Sequence, residues 1–186
     1  FAGDLQVGTT VPCPIYGCTD ANAVNYDANA NTDDGSCLYT CTDNSVYVTV
    51  VTDYYGSEMS WDVTDASGTV VASGSGYANG YNTITDSTCV VDGCYTLNLY
   101  DSYGDGWMTG QPGSVTLDDG TGGVYASGGL TGAFGTPEGA SASFDFTVGT
   151  VAGCIDSLAS NYESCANTDD GSCIYPCTDN LTAVNM

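Results

Sequence analysis

The chain of 186 residues contains no Lys, no Arg and no His. Phosphate recognition rests on Lys and Arg, so nucleic acid and anionic membrane surfaces are excluded as partners. Most acid–base and anion-stabilising catalysis draws on the same three residue types, and no enzyme activity is expected. A glycosidase can work with two carboxylates alone, but the Asp residues here fall in turn and repeat motifs. No apolar run approaches membrane-spanning length, so membrane insertion is not expected. No signal peptide precedes Phe1, which suggests a processed mature protein or an excised segment. Glutamate is scarce too. Glu58, Glu138 and Glu163 are its members among 23 acidic residues.

What remains is a formal charge of −23 with no internal cation to offset it. Such a body repels itself, and divalent cations are the expected counter-ions. Ten cysteines without His read as five disulfides, which places the protein outside the cell or on its surface. An all-thiolate zinc site from Cys13, Cys18, Cys37 and Cys41 is the weaker alternative, because the second copy of the motif described next has no counterpart of Cys13. Abundant Gly, Ser, Thr, Asn and Asp with few helix formers predict short strands and tight turns.

Internal repetition organises the chain. Residues 17–44 align without a gap with residues 153–180. The alignment matches Cys18 to Cys154, Asp20 to Asp156, Asn25 to Asn161 and Cys41 to Cys177, and Asp33-Asp34-Gly35-Ser36-Cys37 to Asp169-Asp170-Gly171-Ser172-Cys173. Each copy is too small for a core of its own and needs staples or metal. Shared cysteines favour Cys18–Cys37 and Cys154–Cys173. Cys89 and Cys94 flank a short Val-Val-Asp-Gly loop and are expected to close it, leaving Cys13–Cys41 and Cys165–Cys177. Oxygen ligands common to both copies, Asp20, Asn25, Asp33 and Asp34 with Asp156, Asn161, Asp169 and Asp170, are candidate calcium ligands. The competing reading makes them ordinary turn residues. Asn180-Leu181-Thr182 is an N-glycosylation sequon.

Between the copies lies a mainly β region with its own duplication. Tyr47 to Gly56 parallels Tyr95 to Gly104, and Asp65 to Gly74 parallels Asp119 to Gly128. Alternation places strands near 45–52, 58–65, 69–73 and 81–87, then near 94–101, 113–118, 123–127 and 141–148. Eight strands in two similar halves predict a two-sheet β-sandwich of jelly-roll or Greek-key type. The expected order is an arm at 1–12, a Cys/Asp-rich repeat at 13–44, the sandwich at 45–149, a second repeat at 150–180 and a tail at 181–186. The loop Asp101-Ser102-Tyr103-Gly104-Asp105-Gly106-Trp107 is a third calcium candidate, through Asp101 and Asp105. Its first-half counterpart, Asp53 to Glu58, is expected to bind more weakly or not at all.

The Gly-Cys-Thr-Asp…Asn-Tyr…Asp-Asp-Gly-Ser-Cys pattern resembles a repeat of large secreted and cell-surface proteins from marine bacteria and some protists. The stretch from Cys89 through Trp107 resembles a β-domain that accompanies it. The resemblance implies a surface location, a β-sandwich and calcium binding, and no defined activity. The resulting expectation is a non-catalytic extracellular structural or adhesive module, self-assembling head to tail through the β-prone segment Asp4 to Val11. The alternative is a calcium-dependent carbohydrate-binding module, since the chain carries 14 Tyr and two Trp.

Overall fold

The computed structural model describes residues 13–21, 23–37 and 41–176. The arm, the tail, Cys177 and the sequon at Asn180 lie outside the described residues. The chain divides into two compact units, Phe1–Thr42 and Asp43–Met186. In the first, β1 (Tyr16–Gly17) runs parallel to β2 (Thr32–Asp33), and a Cys18–Cys37 disulfide ties the unit together. Among its described residues, the buried apolar ones are Cys18 and Ala23. Two such small side chains contribute little by burial, and the covalent staple adds to them.

The second unit is built on eight longer strands, β3 (Asn44–Val51), β4 (Met59–Asp65), β5 (Val70–Gly74), β6 (Thr83–Val90), β7 (Gly93–Asp101), β8 (Ser114–Asp118), β9 (Val124–Gly128) and β10 (Ser141–Val148). Each strand expected from alternation is present, with ends shifted by about three residues at most. They form two antiparallel four-stranded sheets, ordered β6-β3-β8-β9 and β10-β7-β4-β5. The sequence duplication explains this order. If β3–β6 and β7–β10 are equivalent halves, each sheet holds the same four positions, two from each half, and the sheets are images of one another. Neither half makes a sheet alone.

One core lies between the sheets. Val46, Val48 and Val50 from β3 join Leu97 and Leu99 from β7, Val115 and Leu117 from β8, and Val148 from β10 in a single buried cluster. Period-two alternation puts these residues on inner faces, and burial of a side chain of this size contributes about 1.5–3 kcal/mol. Trp61 is buried, its indole N–H donating to Tyr77 Oη at 2.6 Å. The hairpin turns use aspartate to fix the chain. Asp65 Oδ1 accepts the N–H groups of Ser67 and Thr69, and Asp119 Oδ1 those of Thr121 and Gly123. These bonds favour the ionised form, with the Ser67 side chain leading at Asp65 and the Thr121 amide at Asp119, so both carboxyl groups sit below their usual range.

After β10, β11 (Ala152–Gly153) pairs in parallel with β12 (Thr168–Asp169), and Cys154 bonds Cys173. A four-residue helix, Pro137–Ala140, capped by the Thr136 hydroxyl, precedes β10. The remaining pairings differ from expectation. Cys94 bonds Cys165, which rules out both Cys89–Cys94 and Cys165–Cys177. The reason is topological. Cys89 lies on β6 and Cys94 on β7, which belong to different sheets, so the loop between them carries the chain from one sheet to the other. Cys41 and Cys89 are each disulfide-bonded, while Cys13 is a free, exposed thiol, so Cys13–Cys41 is also overturned. With Cys18, Cys37 and Cys41 all oxidised, a thiolate zinc site is excluded.

Cys165 fastens the second repeat to the sandwich, assisted by the Thr147 hydroxyl donating to the Cys165 carbonyl at 2.8 Å. Replacing Cys94 and Cys165 together by Ser should leave the fold intact and lower its stability by about 2–4 kcal/mol. Denaturant unfolding followed by tryptophan fluorescence checks this.

Candidate metal centre

Pairing of β4 with β7 sets Met59 opposite Asp101, and the Ser102 N–H closes the ladder on the Glu58 carbonyl at 3.0 Å. This register brings Glu58, from the short 3-10 turn Gly56–Glu58, onto the loop that follows β7. Glu58, Asp101 and Asp105 each place a carboxylate oxygen so that all three lie within 4.8 Å of one another. Asp101 is buried, and Glu58 and Asp105 are half-buried. Glu58 therefore belongs to the second-half loop and not to a separate, weaker first-half site.

The loop is shaped around Asp101. Its Oδ1 accepts the N–H groups of Tyr103 and Gly104 at 2.8 and 3.0 Å, and its Oδ2 accepts that of Gly106 at 2.8 Å. Gly106 has φ of +85°, and a Cβ there would lie 2.6 Å from the Gly132 carbonyl oxygen, so only glycine fits. Trp107 follows and is buried in the core, with its backbone N–H donating to the Leu130 carbonyl at 2.8 Å. Among the described residues, Trp107 Nε1 is the buried side-chain polar atom without a hydrogen-bond partner. The loop is thus a turn anchored by a core tryptophan, and its carboxylates converge with that of Glu58.

The electrostatics of the cluster are unfavourable without a counter-ion. Unit charges about 5 Å apart repel by roughly 3 kcal/mol at an effective dielectric of 20, less where solvent screens them. The Glu58 carboxyl is accordingly held above its usual range, by burial first and then by the charges of Asp101, Asp105 and Asp53. Asp53 is the first-half counterpart of Asp101 and is buried as well, accepting the Tyr55 and Thr109 amides at 2.9 and 3.1 Å.

The repeat candidates are placed differently. Asp33 Oδ1 accepts the Gly35 amide and Asp34 Oδ1 the Ser36 amide, and Asp169 and Asp170 do the same for Gly171 and Ser172. Asn25 and Asn161 donate to the Ser36 and Ser172 carbonyls. Asp156 accepts from the Leu158 amide and the Tyr175 hydroxyl, and Asp20 offers its carbonyl to Ala23. This is turn chemistry around a left-handed glycine, Gly35 or Gly171. Among the described residues, one further convergence is found, Glu163 beside Cys94 and Cys165, whose sulfurs are spent in their disulfide.

Next to the carboxylate cluster in sequence stand Tyr54 and Tyr55, which with Tyr81 form an exposed group with ring centroids 5.2 and 6.1 Å apart. Strand alternation could not reveal it, because these tyrosines come from loops.

No family model matches the chain, and no solved structure matches it. A stretch of 40 residues is 68% identical to part of ribulose bisphosphate carboxylase/oxygenase activase A, chloroplastic, of Hordeum vulgare. That stretch is 22% of this chain and covers 8% of the activase.

A raised folded-state pKa means that the Glu58 contribution to stability is fully present below its unfolded value, about 4.3, and is lost as pH rises through the higher folded value. Metal-free protein should therefore lose stability as pH is raised from about 4.5 toward 7. Glu58→Gln should flatten that loss and melt no lower than the parent in chelator at pH 7. The turn carboxylates with depressed values, such as Asp65 and Asp119, act in a separate window. Their contribution is complete above 3.8 and is lost only as pH falls through their lower folded values. Thermal melts in chelator across this range provide the measurement.

Proposed function

We propose that the chain is a non-catalytic extracellular structural module, a calcium-stabilised and disulfide-stapled unit of a head-to-tail surface filament. The observation that carries the calcium part is the meeting of Glu58, Asp101 and Asp105 within 4.8 Å in a chain without one cationic side chain. Hard cations such as calcium take six to eight oxygen ligands. Three of the roughly four lone-pair sites on Asp101 already accept amide protons, so it retains one, on Oδ2. Glu58 and Asp105 supply most of the charge, with backbone carbonyls and water completing the shell. Few free lone pairs and half-exposed ligands suit the weak range of extracellular sites, with Kd of about 0.1–1 mM.

The structural part is supported by the repeat–sandwich–repeat order and by eight oxidised cysteines. Oxidation suits an extracellular location, and the likeness of the repeats and the sandwich to surface-protein modules agrees with it. The sandwich is of the Greek-key kind on this reading, with hairpins β4–β5 and β8–β9 as its local units. A second reading, calcium-dependent glycan binding, is favoured by the exposed Tyr54–Tyr55–Tyr81 group beside Glu58, because tyrosine faces pack against the apolar faces of sugars.

Ten millimolar calcium should stabilise the protein against chelator by about 1.4–2.7 kcal/mol. That corresponds to about 3–11 °C in Tm for a domain of this size. Asp105→Asn should remove most of the response, and equal melting temperatures with and without calcium would refute the metal reading. Electron microscopy of the native material tests the filament. Binding on a glycan array that disappears both with chelator and with Tyr81→Ala would instead establish the second reading.

A further inference from the structure

Strand register gathers the aromatic loops at one end of the sandwich. Val51 at the end of β3 faces Thr83 at the start of β6, and Asp101 at the end of β7 faces Met59 at the start of β4. Tyr100 faces Ser141 at the start of β10. The internal duplication gives two of the loops there the same design. Asp53 and Asp101 stand at equivalent places and are buried. Asp53 Oδ1 accepts the Tyr55 amide at 2.9 Å, and Asp101 Oδ1 the Tyr103 amide at 2.8 Å. Each of these tyrosines has a second ring against it. The Tyr54 centroid lies 5.2 Å from that of Tyr55, and the Phe134 centroid 5.3 Å from that of Tyr103.

These rings stand outside the core. Tyr103 is 61% exposed and Phe134 68%. Beside them opens a cleft of about 410 Å³, lined also by Asp101, Ser102, Thr136 and Pro137. The two loops that carry Tyr103 and Phe134 are fastened to one another. The Gly135 amide donates to the Gly104 carbonyl at 3.2 Å, and the Trp107 amide to the Leu130 carbonyl at 2.8 Å. The Thr136 hydroxyl donates to the Ala133 carbonyl at 2.7 Å and closes the turn around Phe134. Adjacent apolar rings held out in water on a bonded scaffold mark a contact surface, and one whose ordering is complete before a partner arrives.

Charge selects the occupant. The carboxylates of Glu58, Asp101 and Asp105 adjoin both ring pairs, since the Glu58 amide donates to the Tyr55 carbonyl at 2.9 Å and Asp101 holds Tyr103. Aromatic faces are electron-rich as well. An anionic partner is repelled here, and a second copy of the chain brings no cationic side chain. A guanidinium answers both features at once, because it stacks on an aromatic face and meets a carboxylate in a two-pronged fork. We infer that this end of the sandwich is a docking surface for a basic segment of a partner protein, with arginine side chains stacked on the Tyr103–Phe134 and Tyr54–Tyr55 pairs and bonded to the carboxylates beside them. Tyrosine and arginine are also the residue types on which binding energy concentrates in protein interfaces. The inference goes beyond the structural reading by naming a partner, and it shares with the calcium reading only the carboxylates.

The probe is a fluorescein-labelled peptide of alternating Arg and Gly, titrated by anisotropy against the full chain in chelator at about 0.15 M salt. Tyr103→Ala and Phe134→Ala conserve charge and remove one ring each. Each should weaken binding about threefold or more, and the two together about tenfold or more. Tyr103→Phe should bind like the parent, and Tyr103→Leu like Tyr103→Ala, because an aliphatic chain has apolar area but no quadrupole. Asp105→Asn should weaken binding more than Asp86→Asn, which removes an equal charge from the exposed side of β6. Equal binding by all the charge-conserving variants would mean attraction by net charge alone and would overturn the assignment. So would a cleft that takes neutral oligosaccharides, sensitive to the same variants, and ignores the peptide. If tryptophan fluorescence shows an alanine variant to be misfolded, the comparison of Tyr103→Phe with Tyr103→Leu decides. A protein that melts alike with and without calcium and still binds through these rings keeps the docking surface and loses the calcium site. One that calcium stabilises, but whose ring variants bind like the parent, does the reverse.

Discussion

Every negative charge in this protein has to be answered without a single cationic side chain. The backbone supplies the answer. Asp33, Asp34, Asp65, Asp101, Asp119, Asp169 and Asp170 each accept one or more main-chain N–H groups from the residues that follow them. An amide dipole aimed at a carboxylate does part of the work of a cation, and the resulting turn closes on a residue that adopts it cheaply, usually glycine. The abundance of Asp-Gly and Asp-x-Gly is therefore an electrostatic device as much as a conformational one. Asp92 shows the same logic over longer range, with Asn44 and the Thr150 amide as its donors.

The arrangement is least complete where strand register, and not turn geometry, sets the neighbours. Pairing of β4 with β7 fixes Glu58 against Asp101 and Asp105 whether or not amides are to hand. Charge accumulates there as a consequence of topology, and this is why one local cluster stands out from many acidic turns.

Most of the architecture was legible in the sequence. Alternation located the strands, and duplication of the Tyr47 and Tyr95 segments announced two equivalent halves. Oxygen-rich loops in the repeats were legible as turns, but not separable from calcium loops, because the same Asp and Asn residues serve both chemistries. Glu58 could not be assigned to its cluster from sequence, since its neighbours lie some 45 residues away and depend on the order of strands in a sheet. The same ignorance of topology misled the cysteine pairing. Cys89 and Cys94 are near in sequence, yet the chain changes sheets between them.

The interleaving of the two halves has a consequence for how the chain must be made. Val48 pairs with Leu117, and Val63 with Leu97, so each sheet waits for strands that arrive much later in synthesis. A partly translated chain can form the β4–β5 hairpin but no complete sheet, and long-range pairing of this kind is slow. During that interval the inner-facing valines of β3 and the open edge of β4 are exposed to other nascent copies. A dense, uniform negative charge on every copy keeps such chains apart while they wait. The absence of cations would then protect the chain before its fold is complete, as well as shaping the folded surface afterwards.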